Sequence, residues 1–373
     1  MNEHKIESPK EPDLELAFIA KQFRPDAPIV EVKEYGSGNV NDTYRVTLDA
    51  SDKHFILQRI NTRVFHRPEL IMMNMRTFTK HVRDRLARES LDGWQVPQIL
   101  LAQGGNNHFV DESGGFWRAI TFIDSSRTYN EVRDLDHANQ VGYALGKFHS
   151  LISDLETERL HDTLEGFHIA PRYLRHYDDV LAQHTPPALP QVDYCLRFIE
   201  SHRKSVAVLE DAKAQNKLRL RPIHGDPKVN NIMIDDVSRC AISMIDLDTV
   251  KPGLVHYDIG DCLRSCCNPL GEETTDFDAI HFDLDICRAV LQGYLALGKE
   301  FLDENDYAFL FDAIRLLPFE LGLRFFTDYV EGNVYFKVKR PDHNLSRALV
   351  QFKLTESIER QEREIRALID ELR

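Results

Sequence analysis

The spacing of hydrophobic and polar positions changes along the chain. The first third carries the short alternation of strands. Residues 29–34 run into a Gly/Asn cluster at 36–41, followed by a strand at 43–48, a polar turn at 49–53 and a strand at 54–60. Pro68 opens a helix whose apolar positions, Leu70, Met73, Phe78, Val82 and Leu86, fall near helical spacing. Strand character returns at 96–102, 108–111 and 115–123, with glycine turns at 104–105 and 113–115. Beyond about residue 124 the period lengthens. Residues 131–155 place Leu135, Ala138, Val141, Leu145, Phe148 and Ile152 on one helical face. Residues 191–212 are also expected to be helical, a strand-rich island follows at 218–223, 231–234 and 241–245, and 276–373 reads as mostly helix. The expected architecture is α+β, with a small antiparallel-sheet N-terminal domain over 1–123, a larger mainly helical C-terminal domain over 124–373, and a hinge near 122–126.

Composition narrows the functional classes. The chain has 373 residues, enough for two domains, and a net charge of −14. Such an acidic surface repels nucleic acid and anionic membrane, so neither is an expected partner. The six cysteines follow no disulfide spacing, the N-terminal residues lack the apolar core of a signal peptide, and no apolar run is long enough to span a bilayer. A cytoplasmic location is expected. The phosphate-loop and nucleophile-elbow signatures are absent from the sequence.

The segment richest in chemistry is Ile223-His224-Gly225-Asp226-Pro227-Lys228-Val229-Asn230-Asn231-Ile232-Met233, followed by Ile245-Asp246-Leu247-Asp248. Phosphoryl transfer needs a carboxylate to direct the attacking hydroxyl's proton, oxygen ligands to hold magnesium, and a cation to offset charge on the moving group. Asp226 offers the first, Asn231 and Asp246 the second, and Lys228 the third. Pro227 cannot continue a strand ladder, which places Asp226 in a loop, and Asp246 follows a strand. Upstream, Tyr35-Gly36-Ser37-Gly38-Asn39-Val40-Asn41 lies between two strands, where glycines let the backbone approach phosphates closely.

Together these segments resemble the aminoglycoside phosphotransferase and choline kinase branch of the protein-kinase-like superfamily, with its H-G-D-x-x-x-x-N loop. The resemblance implies a two-lobed fold, ATP and magnesium as cofactors, and ATP lying between the lobes under Gly36, Ser37, Gly38, Asn39 and Asn41. That superfamily usually places a lysine on the next strand. Here the position holds Gln58, a cofactor-binding candidate whose neutral amide can hydrogen-bond an ATP phosphate but supplies no charge, while Arg59 should face the other side of the sheet by alternation. Within Ile56-Leu57-Gln58-Arg59-Ile60-Asn61, this glutamine resembles the N-acetylhexosamine 1-kinase group. Similar blocks are 245–253, 257–261 and 322–336, so the likeness runs from about residue 16 to the C-terminus.

The resemblance implies transfer of the γ-phosphate to the anomeric hydroxyl of N-acetylglucosamine or N-acetylgalactosamine, with Arg324 and Tyr335 touching the sugar. Arg324 and Asp328 form an i,i+4 pair in an expected helix over 317–330, embedded among Phe325, Phe326, Tyr329 and Tyr335. Rings that stack on a sugar and charges that bond its hydroxyls make both residues substrate candidates. Ser265 stands where the sugar-kinase group is expected to have an aromatic residue. The alternatives are a kinase for choline, an amino alcohol or an aminoglycoside, and a catalytically silent nucleotide- or sugar-binding protein. His224, Asp258 and Asp261 read as structural residues that brace the loop, and His149 as a packed core histidine.

Overall fold

The computed structural model describes residues 14–36, 40–50 and 53–373. Ser37, Gly38 and Asn39 of the expected phosphate loop lie outside the described residues. The chain divides into two compact units, residues 1–79 with 97–124, and residues 80–96 with 125–373. No described helix is long and apolar enough to cross a membrane.

The first unit starts with α1 (Leu14–Lys21) and the strands β1 (Ile29–Glu34), β2 (Asp42–Leu48) and β3 (His54–Ile60). It continues with α2 (Pro68–Glu89), whose last turns belong to the second unit, and with β4 (Ile99–Leu100), β5 (Phe109–Val110) and β6 (Phe116–Thr121). Pairing is antiparallel in the order β1-β2-β3-β6-β4, with β5 also on β6. Period-two alternation gives the sheet two different faces. Val46, Leu48, Phe55, Leu57, Trp117 and Ala119 form one, buried against Ile19, Ala20 and Phe23 around α1. Arg59 shares this face, with its guanidinium carbon 5.8 Å from the Trp117 ring centre. On α2 the buried stripe is Ile71, Met72, Met75, Phe78 and Val82, whereas Met73, expected inside, is 49% exposed. Apolar residues from 70 to 73 supply more than one helical face, and packing selects among them.

The turn before β6 is held by a single carboxylate. Asp111 Oδ1 accepts from Ser113 N (2.8 Å), Ser113 Oγ (2.6 Å) and Gly115 N (2.8 Å), and Oδ2 accepts from Trp117 Nε1 (2.6 Å). Burial works against the charge, but the donors from Ser113, Trp117 and Gly115 win and hold the carboxyl down to about 2.

The second unit contains β7 (Ser126–Arg127), α3 (Leu135–Ile152), α4 (Ala170–Gln183), α5 (Pro190–His202), α6 (Val208–Ala214), β8 (Arg221–Ile223), β9 (Ile232–Asp235), β10 (Ala241–Met244) and β11 (Lys251–Gly253). It closes with α7 (Val255–Cys266), α8 (Leu284–Gly298), α9 (Glu304–Ala308), α10 (Leu310–Glu331), α11 (His343–Arg360) and α12 (Glu362–Leu372). The α3 helix starts at Leu135, the first position of its apolar pattern, rather than at the expected residue 131, because Asp134 caps it by accepting from His137 N at 2.7 Å. It packs hard on α8, where a side chain at Gly142 would strike the Val290 carbonyl and one at Gly293 the Asn139 carbonyl. The expected helix over 191–212 is two helices parted by a short 3-10 turn at Arg203–Ser205. The α10 helix begins before the expected residue 317 and runs through Pro318, sustained by packing against α7 and α11. Two small antiparallel sheets, β10-β9-β7 and β11-β8, frame the loop at 224–231. The expected α+β class, an antiparallel sheet followed by a mainly helical part, is the one found.

Asp111→Asn should destabilise the first unit by about 2 kcal/mol at neutral pH through loss of charge-assisted bonds. The native carboxyl titrates below its unfolded value. Its contribution is therefore present above about pH 4 and lost as pH falls toward 2. Urea melts of both proteins from pH 7 down to pH 3 should show the gap narrowing.

Candidate active site

The loop after β8 depends on Asp258 of α7. This carboxylate is fully buried and accepts from His224 N (2.7 Å) and Gly225 N (2.8 Å). His149 Nε2 lies 2.8 Å from its Oδ2, and Tyr294 OH lies 3.0 Å from His149 Nδ1. His224 is held uncharged, because burial outweighs the nearby Asp258 and Asp226. Its Nε2 donates to Ile245 O (2.9 Å), which leaves Nδ1 to accept from Asp226 N (3.3 Å). Thr249 Oγ1 donates to His224 O at 2.8 Å. Gly225 has φ +87°, and a Cβ there would lie 2.7 Å from Thr249 O, so only glycine fits. The four residues read as structural in the sequence are thus traced to particular bonds, with Asp261 held by Arg264 Nε at 2.7 Å.

This frame brings Asp226, Lys228, Asn231 and Asp246 together. Lys228 Nζ is 2.9 Å from Asp226 Oδ2. Asp226 and then Asp246 hold the ammonium well above the usual lysine range against the cost of burial. Asn231 Nδ2 donates to Asp226 O at 2.8 Å, and Asn231 O accepts from Ile245 N at 2.9 Å. The amide is thereby fixed beside the end of β10, where Asp246 follows. Asp246 is exposed and takes a left-handed backbone, φ 61° and ψ 58°, a conformation costly for a residue with a Cβ and eased for Asp. Ser265 Oγ accepts from Val229 N at 3.3 Å, so at that position a hydroxyl supports the loop.

In the first unit, Gly36 has φ +81° at the mouth of the β1–β2 hairpin, which Tyr35 N closes on Thr43 O at 2.9 Å. Asn41 Oδ1 accepts from Asn61 N at 3.0 Å and straps the hairpin to the end of β3. Gln58 is half-buried and bonded to Thr43 and Arg118. The sheet alternation places Arg59 away from it.

The substrate candidates separate. Arg324 is enclosed by rings, with its guanidinium carbon 5.2 Å from the centre of Phe167, 4.9 Å from Tyr173, 5.9 Å from Tyr335 and 5.4 Å from Phe336. Among the described residues it makes no hydrogen bond and no ion pair. Asp328 does not pair with it. Asp328 Oδ1 accepts from Tyr335 N (2.8 Å), and Oδ2 from Phe336 N (3.0 Å) and Asn344 Nδ2 (2.8 Å). The α10 helix ends at Gly332 in the left-handed region, and the returning chain delivers two backbone donors to this carboxylate. Asp328 therefore spends its carboxylate on the returning chain and on Asn344, and helps to build the box.

Phe167, His168, Tyr173 and Glu320 had no signal in the sequence. The segment at 166–173 shows a glycine, two aromatics and a proline near a helix start, but nothing in its spacing relates it to Asp226. His168 joins the parts. Its Nε2 lies 2.8 Å from Gly225 O and its Nδ1 3.0 Å from Glu320 Oε1, one turn before Arg324. Burial opposes its charge, but Glu320 raises its pKa above the usual histidine value. Both partners are acceptors, which matches an imidazolium donating twice. Burial pushes the Tyr173 phenol up to about 12.

A raised native pKa means that the stability from His168 is full below about pH 6.5 and is lost as pH rises through the native value. His168→Gln should therefore lower the melting temperature more at pH 6 than at pH 9. A gap that does not change with pH would show that the imidazolium is not formed.

Solved structures share this fold. At 14% identity, an aminoglycoside phosphotransferase from Alicyclobacillus acidocaldarius superposes with a TM-score of 0.63 over 98% of this chain and 99% of that chain. A microcompartment-associated aminopropanol kinase, 16% identical, gives 0.60 over 95% and 99%. Choline kinase from Cryptosporidium parvum, 14% identical, gives 0.58 over 96% and 99%. Residues 31–296, which run from β1 into α8 and include the hairpin loop, the Asp226 loop and Asp246, match the model of the "Phosphotransferase enzyme family". The chain belongs to that phosphotransferase family.

Proposed function

We propose that this phosphotransferase is an ATP- and magnesium-dependent kinase that phosphorylates a sugar hydroxyl, namely the anomeric hydroxyl of an N-acetylhexosamine. The observation that carries the substrate reading is the Arg324 guanidinium in its four-ring box, linked to the Asp226 loop through His168. Its unused donors suit hydroxyl and acetamido oxygens, and the half-exposed faces of Tyr335 and Phe336 suit the apolar face of a sugar ring. The aminopropanol and choline kinases of similar fold are named for cationic alcohols. A cation placed beside Arg324 would be repelled, and this favours the neutral sugar.

Asp226 orients the attacking hydroxyl and takes its proton; an anomeric hydroxyl is more acidic than an ordinary alcohol and asks less of that carboxylate. Lys228 stands on the same carboxylate and adds positive charge where the phosphoryl group would pass. Asn231 commits its NH2 to Asp226 O and keeps its amide oxygen, and Asp246 adds an exposed carboxylate. Two hard oxygens suit magnesium, whose charge would offset that of the phosphates, with phosphate and water oxygens completing the shell. Gly36 and Asn41 shape the hairpin proposed to cover the nucleotide phosphates, with residues 1–123 as the nucleotide-binding lobe and 124–373 as the lobe for catalysis and sugar.

Phosphorus NMR of the protein with ATP, magnesium and a panel of sugars and amino alcohols tests this. The expected product is a phosphomonoester coupled to an anomeric proton, lowered about 10²- to 10⁴-fold by Asp226→Asn. Phosphorylation of choline or an aminoglycoside alone would sink the sugar assignment. Arg324→Met should raise the sugar KM about ten- to a hundredfold and leave the ATP KM unchanged.

A further inference from the structure

Strand register in the first unit sets Thr43, Gln58 and Arg118 side by side on β2, β3 and β6. Their side chains form one continuous hydrogen-bonded row. Arg118 Nε and Nη2 donate to Gln58 Oε1 at 2.9 and 2.8 Å, and Gln58 Nε2 donates to Thr43 Oγ1 at 3.0 Å. A guanidinium has donors and no acceptor, so it can meet only the oxygen of the amide. The Gln58 amide therefore has one orientation, with its NH2 turned away from Arg118. One of the two NH2 protons is used on Thr43, and the other remains on a half-buried side chain.

Arg118 is the fixed member of the row. It is 2% exposed, and its Nη1 lies 3.9 Å from Met75 Sδ of α2. Gln58 belongs to the strand to which the glycine hairpin is strapped, through Asn61 N on Asn41 Oδ1 (3.0 Å) and Asn61 Nδ2 on Val40 O (3.3 Å). Thr43, its other partner, closes the mouth of the same hairpin.

We propose that Arg118 is a positioning residue for the nucleotide: by holding Gln58 through its amide oxygen, it aims the remaining amide proton at the ATP phosphates. The β3–β6 pair then does from two strands what a single β3 lysine does in kinases of the resembled superfamily. This deepens the phosphotransfer reading above and rests on it. It also explains why a lysine is out of place at 58, since an ammonium there would lie against the Arg118 guanidinium.

The test uses the full chain and measures binding of ATP and of adenosine, together with kcat and the ATP KM, for four variants. Arg118→Met should weaken ATP about ten- to a hundredfold while adenosine binds as before, because only the phosphates feel the amide. Arg118→Lys should recover part of the loss, since an ammonium can still hold the amide oxygen. Gln58→Lys should lose ATP affinity and lower the melting temperature. Gln58→Lys combined with Arg118→Met should regain ATP affinity to within about threefold of the unaltered protein, which no purely structural role for Arg118 would produce. Equal losses for ATP and adenosine, or a Gln58→Lys variant as good as the double one, would overturn the proposal while the unaltered enzyme still turns over. Should the unaltered protein neither bind ATP nor transfer its phosphate, the phosphotransfer reading falls as well, and that outcome is read before any variant.

Discussion

A single buried carboxylate sets the conditions for the rest of the site. Asp258 has no exposed surface and meets three N–H groups, two from the backbone of the 224–231 loop and one from His149. A charge removed from water is tolerated when its lone pairs are filled with good geometry, and losing one donor leaves an expensive remainder. The loop is therefore tied to α7 by its first two residues. From that anchor follow the left-handed turn at Gly225, the uncharged tautomer of His224, and the direction in which Asp226 leaves the loop. The helices that carry the partners are themselves locked, because α3 and α8 approach at glycines where no side chain fits.

Polar groups elsewhere in this unit work in the same way, with one residue committed so that its neighbour is presented. Asp328 spends both oxygens on the chain at 335–336 and on Asn344, and this sets two of the rings around Arg324. His168 spends both nitrogens on Gly225 and Glu320 and thereby fixes the box relative to the loop. In the first unit the row from Arg118 through Gln58 to Thr43 follows the same rule across three strands. Each case uses a group that can only donate or only accept, so the orientation of the next group follows from chemistry rather than from packing alone.

Much of this was legible in the sequence. Strand and helix periods placed β1 and β3 to the residue, and the α+β class follows from the change of period near 124. The spacing of Asp226, Asn231 and Asp246 predicted a loop followed by a residue just beyond a strand, and the structure has Asp226 and Asn231 on the loop before β9 and Asp246 after β10. Errors fell where several local answers were equally good. The buried face of α2 passes through Ile71 and Met72 and not Met73, helix 191–212 breaks at 203, and α10 begins at Leu310, before the expected 317, and runs through Pro318.

The sequence by itself determined the residue types and the local geometry: which carboxylates follow strands, where glycine must turn the chain, and that β3 carries an amide in place of a lysine. Only the tertiary structure decided the partners. Arg118 is 60 residues from Gln58, His168 is 57 from Gly225, and Tyr173 meets Arg324 from a different helix. Contacts at such separations depend on strand register and helix packing, which the whole core sets at once. An i,i+4 spacing such as Arg324 and Asp328 permits a pair but does not choose it over backbone donors brought by a returning chain.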